Sequence, residues 1–293
     1  MGLDYLCTLS GVNVSVQGQR VLENIQYNIR EAVIETFISK DDSASKLLQV
    51  IGGFVVADEG EIAYPMYSPS KKNLSKWIQY VPDDIVCYSD MKVREFLQGV
   101  AFSVNHEDAI EIAVRLCQLF EIDTEENLLD MTFEKNRLVA MIQAIMAQPK
   151  LLLLDRPYDM IGAQRYGLLL KELVQLKAKG TTILIATDAY DKVVIPCNQY
   201  VFLKEGSIFA QYNGKNLPTL SKVVKLNNGN PAVFNRSRMK ILYRTKKSWG
   251  FLYKEESVAE LVLKIYQSGC TNFTVDELSM EEEVYGDYER WMP

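Results

Sequence analysis

Apolar residues in this chain fall into short unbroken runs separated by stretches of helical periodicity. Val33 to Ile38 (VIETFI), Trp77 to Val81 (WIQYV), Leu151 to Leu154 (LLLL), Thr181 to Thr187 (TTILIAT) and Tyr200 to Leu203 (YVFL) are runs of this kind. Apolar runs without polar alternation predict strands buried on both faces, as in a parallel sheet. Helical patterns lie between them. Ser43 to Ile51 is stopped by Gly52 and Gly53, and Glu107 to Ile122 repeats apolar residues at Ile112, Leu116, Leu119 and Phe120. Phe133 to Ala147 ends just before Pro149, and Ala163 to Lys179 ends at Gly180. The pattern predicts an α/β sheet with a mainly helical insertion from about Asp83 to Gln148, and Phe96, Phe102 and Phe120 are expected in its core.

Beyond a turn-rich connector (NGKNLP, then NNGNP at Asn227 to Pro231) the pattern changes. Met239 to Lys246 and Thr271 to Val275 read as strands, and Ser257 to Gln267 and Asp276 to Tyr285 as helices. We expect a larger domain over residues 1–220 and a small α/β appendage over residues 221–293. The 293 residues, 48% hydrophobic, are enough for that. With 32 Lys+Arg against 38 Asp+Glu there is no overall positive field, so nucleic acid is not expected as a partner. The basic run Arg236, Arg238, Lys240, Arg244, Lys246, Lys247 reads as a solvated strand edge or as a surface for an anionic partner, and the acidic end from Glu281 to Glu289 as a helix that is solubilising or docks on that strand.

Five scattered cysteines without a CxxC pair exclude a zinc ribbon and a disulfide scaffold, and fit a reducing compartment. The single histidine, His106, lies in a polar helix entry and excludes a multi-histidine metal site. The first residues lack the charged and apolar regions of a signal peptide, and no apolar run approaches the length of a membrane span, so a cytoplasmic protein is expected.

Several segments, taken in order, resemble the ATP-binding cassette of ABC transporters. They are VLENIQYNI (Val21 to Ile29), LLQVIGGF followed by DEGEIAY (Leu47 to Tyr64), IQYVPDD with MKVREFL (Ile78 to Leu97), AIMAQPKLLLLDRP (Ala144 to Pro157), ILIATD (Ile183 to Asp188) and the closing ELSMEEEVYGDY (Glu277 to Tyr288). The resemblance implies a P-loop NTPase-like fold with a RecA-like core and a helical insertion, and by its closing segment an exporter-type cassette.

At the stations where that family does its chemistry the residues differ. A phosphate loop GxxxxGK[ST] uses glycines so that backbone N–H groups close around phosphate, and a lysine to reach the terminal phosphates. The matching stretch SKDDSASKLL, Ser39 to Leu48, is one residue short. Anchored on Leu47 and Leu48, it puts Ala44 at the lysine and Ser45 at the magnesium-binding hydroxyl, with Asp41, Asp42, Ser43 and Lys46 around them. Two residues along a helix turn a side chain by about 200°, so Lys46 is expected to point away. A carboxylate at ~5 Å from a phosphate charge repels it by about 3 kcal/mol at an effective dielectric of 20. A helix from Ser43 with an Asp or Ser cap explains the same residues.

By the same resemblance the adenine-stacking aromatic falls at Val16, the Q-loop glutamine at Asp83, the LSGGQ signature at MTFEK (Met131 to Lys135) and the D-loop aspartate at Gly162. The Walker B aspartate is kept as Asp155, but the catalytic glutamate falls at Arg156 and the switch histidine at Asp188. An arginine cannot act as a base, and Arg156 is expected in a salt bridge. Ser45, Asp155 and Asp83 are the candidate metal ligands, and no catalytic residue is assigned.

The resemblance implies a degenerate cassette subunit without hydrolysis, a pseudo-ATPase peripheral at the inner face of the membrane. It would partner a membrane-spanning exporter subunit and a second cassette in a homo- or heterodimer. No cofactor is expected beyond weak ATP and magnesium. A working ATPase subunit with a non-standard site, and a scaffold without a transporter, are the alternatives.

Overall fold

The computed structural model describes residues 5–65, 77–84, 90–104, 106–190, 197–227, 231–254 and 258–293. The chain divides into two compact units, Met1–Lys215 and Asn216–Pro293. In the first, the apolar runs form a six-stranded sheet in the order β5-β6-β7-β3-β8-β9, where β3 is Ile34–Ile38, β5 Ile78–Val81, β6 Leu151–Asp155, β7 Thr182–Thr187, β8 Gln199–Lys204 and β9 Ser207–Asn213. Its pairings are parallel except at the β9 edge, which runs antiparallel to β8. β3 sits between β7 and β8 with every residue buried, so a continuous apolar run marks it where an alternating one would mark a half-exposed strand.

A second, antiparallel sheet of three strands, β1 (Tyr5–Val16), β2 (Gln19–Arg30) and β4 (Glu59–Ala63), carries the alternation of a one-sided sheet. Its inner face, with Leu9, Val12, Leu22 and Ile29, packs into one core with Leu47, Leu48 and Ile51 of helix α1 (Ser43–Ile51) and with Leu151 and Leu184 of the parallel sheet. Burying each such side chain is worth about 1.5–3 kcal/mol, which fixes α1 directly after β3.

Helices α2 (Val93–Val104), α3 (Ala109–Phe120) and α4 (Phe133–Met146) fill the expected insertion, and α5 (Ala163–Ala178) follows β6. His106 precedes α3, where its Nδ1 accepts from the Asp108 backbone N–H at 3.3 Å. Phe120 is fully buried, but Phe102 is 90% exposed, which corrects the expectation of a core position: α2 turns Val93 and Leu97 inward and leaves Phe102 on its outer face.

The second unit is a four-stranded antiparallel sheet, β11-β12-β10-β13, with helices α6 (Val258–Gln267) and α7 (Met280–Tyr285). Strands β10 (Lys222–Asn227) and β12 (Ser248–Tyr253) were not expected, and Asp276 and Glu277 belong to strand β13 (Asn272–Glu277) rather than to the last helix. That helix starts where Ser279 and Glu282 form a capping box. Cys87 and Gly229 of the NNGNP connector lie outside the described residues.

Candidate functional site

The parallel strands end where β3 turns into α1 and β6 into the loop before α5. Such a switch from strand to helix presents the helix N-terminus, whose first N–H groups have no partner within the helix. In this chain two of them are occupied from within. The Ser43 N–H donates to Asp41 Oδ1 at 2.9 Å, and the Ala44 N–H to Ser39 Oγ at 3.0 Å. The Ser39 hydroxyl donates to the Asp41 carbonyl at 2.6 Å, closing the turn on itself. Asp42 is the capping residue by position but makes no side-chain cap bond. A carboxylate on these amides satisfies both the hydrogen bonds and the helix dipole, as an anion would.

At the third position of α1, Ser45 faces the end of β6. Its hydroxyl donates to Asp155 Oδ1 at 2.7 Å, and the Tyr80 hydroxyl donates to Asp155 Oδ2 at 3.1 Å. Asp155 is 3% exposed. Burial pushes its carboxyl above the usual carboxylate range, against the pull of the Ser45 and Tyr80 bonds. Lys46 points elsewhere, its ammonium donating to Gln49 Oε1 at 2.9 Å.

Arg156, which the resemblance places at the position of a catalytic base, has its backbone in the left-handed region (φ 43°) and its N–H on the Ala186 carbonyl at 3.0 Å. Its guanidinium pairs with Asp83 at 3.1 Å and lies 4.0 Å from Asp42. Burial would lower its pKa, but the bond to Asp83 and the charges of Asp83, Asp188 and Asp155 raise it. Asp83 is also 3.6 Å from Arg137. A carboxylate held between two guanidiniums competes poorly for a cation, so Asp83 is set apart from Ser45 and Asp155. Among the described residues no group of three acidic, histidine or cysteine side chains is placed to hold a metal.

Arg137 was not anticipated. It is the largest fully buried side chain and donates to the backbone carbonyls of Asp83 at 2.5 Å, Asp155 at 2.8 Å and Arg156. One guanidinium thereby ties α4 to the end of β6 and to the loop after β5, using its planar fork of donors. Ser39 and Tyr80 were also missed; only their adjacency to the phosphate-loop and Q-loop stretches could have signalled them.

In MTFEK, Thr132 caps α4 by accepting from the Lys135 N–H at 3.4 Å. Glu134 accepts from the Gly162 N–H at 2.9 Å and pairs with Arg165 at 3.1 Å. Val16 ends β1, 39% exposed, with no ring to stack on a base.

A magnesium nucleotide is what this fold family implies, and the residues can be tested against it. Ser45 and Asp155 are placed as a hydroxyl and carboxylate that could share a cation. The polyphosphate does not fit: two amides that would receive it carry Asp41 and Ser39, the Lys46 ammonium is turned to Gln49, and Asp41 and Asp42 add negative charge.

No protein-family model matches the chain. It is similar to the arabinose import ATP-binding protein AraG of Rhizobium meliloti (strain 1021), 21% identical over 218 residues, 70% of this chain and 42% of that protein. It is also similar to the energy-coupling factor transporter ATP-binding protein EcfA3 of Clostridium perfringens (strain ATCC 13124), 25% identical over 237 residues, 76% of this chain and 82% of that protein. The chain thus spans less than half the length of the arabinose-import relative. A solved ATP-binding subunit of an ABC transporter superposes with a TM-score of 0.66 at 20% identity, over 71% of this chain and 90% of that one.

Proposed function

This chain is a relative of the ABC transporter ATP-binding cassettes and has their fold, and we propose that it serves as a non-hydrolysing cassette subunit. One observation carries the reading: the amides at the start of α1 are already bonded to Asp41 and Ser39. The arginine at the position of the base, paired to Asp83, supports it. A subunit of this kind acts through shape. It would sit at the inner face of a membrane against a membrane-spanning subunit and a second cassette, which supplies the turnover.

The exposed Phe102 of α2 lies in the insertion and is a candidate contact for the membrane-spanning subunit. The export direction has the support only of the resemblance in ELSMEEEVYGDY, whereas relatives named as import proteins favour uptake. The retained pair of Ser45 and Asp155 supports the second reading, a hydrolysing subunit.

ATP turnover of the purified chain and of Arg156→Glu, each against an Asp155→Asn background, tests the proposal. We expect none above background in either. Turnover in the wild type that Ser45→Ala removes would overturn it. Phe102→Glu should release the chain from native membranes without lowering its melting temperature, and equal recovery of both forms would remove the membrane partner from the account.

A further inference from the structure

A second pocket, of about 470 Å3, opens near the N-terminal ends of β3 and β8, whereas the phosphate-loop stretch follows the C-terminal end of β3. Gln26, Tyr27, Arg30, Glu35, Gln199 and Gln211 line it. Glu35 is the unusual member. It sits on the central strand, 4% exposed, with a single hydrogen bond among the described residues, from the Tyr27 hydroxyl to Oε2 at 3.0 Å. A buried carboxylate normally has an ionic partner or several donors. Arg30 lines the same pocket, yet neither makes an ion pair among the described residues. The Gln199 amide donates to Gln211 Oε1 at 3.1 Å, which leaves a carbonyl oxygen on Gln199 and an N–H on Gln211 for a ligand.

From one carboxylate and one guanidinium that share a polar cavity without meeting, we infer that this pocket binds a small zwitterion of the α-amino-acid class, its ammonium group at Glu35 and its carboxylate at Arg30. The charges select against the other classes. An apolar ligand would desolvate amides and phenols for nothing, and a neutral sugar would leave both charges unpaired. A phosphate would meet a buried carboxylate beside its one cation, and a metal would find one acidic ligand.

Binding also moves a proton. Burial pushes the Glu35 carboxyl up to about 7, against the Tyr27 bond and the Arg30 charge. The groups facing it are Tyr27 and Arg30 from β2, Tyr5 from β1, and Gln199 with the Cys197 thiol beside β8, while β7 offers the apolar Leu184. Burial pushes Cys197 up to about 11 and Tyr27 higher still, so neither titrates near neutrality. An ammonium group on Glu35 therefore releases protons on binding near neutrality, and the release falls as pH rises through that range. The inference is independent of the nucleotide chemistry above.

Calorimetry of the full chain with the common L-amino acids, each at up to about 10 mM, tests it, because a ligand at 100 times its dissociation constant gives a clear thermal shift. We expect at least one to bind saturably. Its decarboxylated amine and its deaminated acid should each bind at least tenfold more weakly, as should Glu35→Gln and Arg30→Gln to the amino acid. Buffers of different ionisation enthalpy should show the released proton with the wild type, which keeps the test valid if a variant misfolds. No binding by any amino acid, equal binding of the plain amine, or binding without proton release at pH 7 would overturn the inference.

Discussion

Two sides of the site at the end of the parallel sheet contrast. On the buried side, Ser45, Tyr80 and Asp155 form a closed set of hydrogen bonds at the end of β6, framed by the fully buried Arg137. On the loop side, Asp41 takes the Ser43 amide, Arg156 pairs with Asp83, and Glu134 pairs with Arg165. Residues of the buried side hold the sheet to α1 and α4, so replacing them costs stability. On the loop side the side chain of Asp42 is exposed and those of Arg156 and Glu134 are half-buried, so replacing them should cost less.

The largest expected effect is on the buried side. Arg137→Met leaves the carbonyls of Asp83, Asp155 and Arg156 without their donor and should cost about 3–5 kcal/mol. That corresponds to a fall of roughly 10 °C in melting temperature. A loss no larger than that of a loop-side substitution would erase the contrast.

Glu35→Gln tests whether burial alone marks a stabilising residue. The folded carboxyl is pushed up to about 7 from an ordinary 4.5, so between these values the folded chain keeps a proton that the unfolded chain has lost. Stability then falls as pH rises through that window and stays level above it. Glutamine keeps an acceptor for Tyr27 and has no charge to bury. The variant should gain on the order of 2–3 kcal/mol at pH 8 and little at pH 4, measured by denaturant unfolding. An equal change at both pH values would assign the effect to packing.

The same contrast explains what was readable in advance. Continuous runs such as LLLL and TTILIAT became central strands because burial on both faces leaves no room for polar alternation. That Ser45 and Asp155 meet is legible only through the resemblance, which places Ser45 by its anchor on Leu47 and Leu48 and Asp155 by the stretch AIMAQPKLLLLDRP. Arg137 was not: its helix is apolar nearly all round, so periodicity assigns it no face. Phe102 shows the converse, since an aromatic side chain does not say which side of an amphipathic helix it occupies. Strand β10 begins in a turn-rich stretch and spans only six residues, too short for its pattern to stand out. The Asp41 and Ser39 caps depend on a turn geometry that spacing does not specify.

The smallest effect is expected on the loop side. Asp41→Ala removes one cap at the start of α1 and should cost about 1 kcal/mol, read as a small downward shift in melting temperature. A loss above about 3 kcal/mol would place this loop with the buried frame.

The most direct measurement of the central claim is a calorimetric titration of magnesium ATP into the wild-type chain, repeated with Asp41→Gly. Because two helix amides are bonded to Asp41 and Ser39 and the Lys46 ammonium is turned to Gln49, the wild type should show no saturable heat at millimolar nucleotide. Saturable wild-type binding that Ser45→Ala abolishes would contradict the account, because it would mean that the loop still receives phosphates.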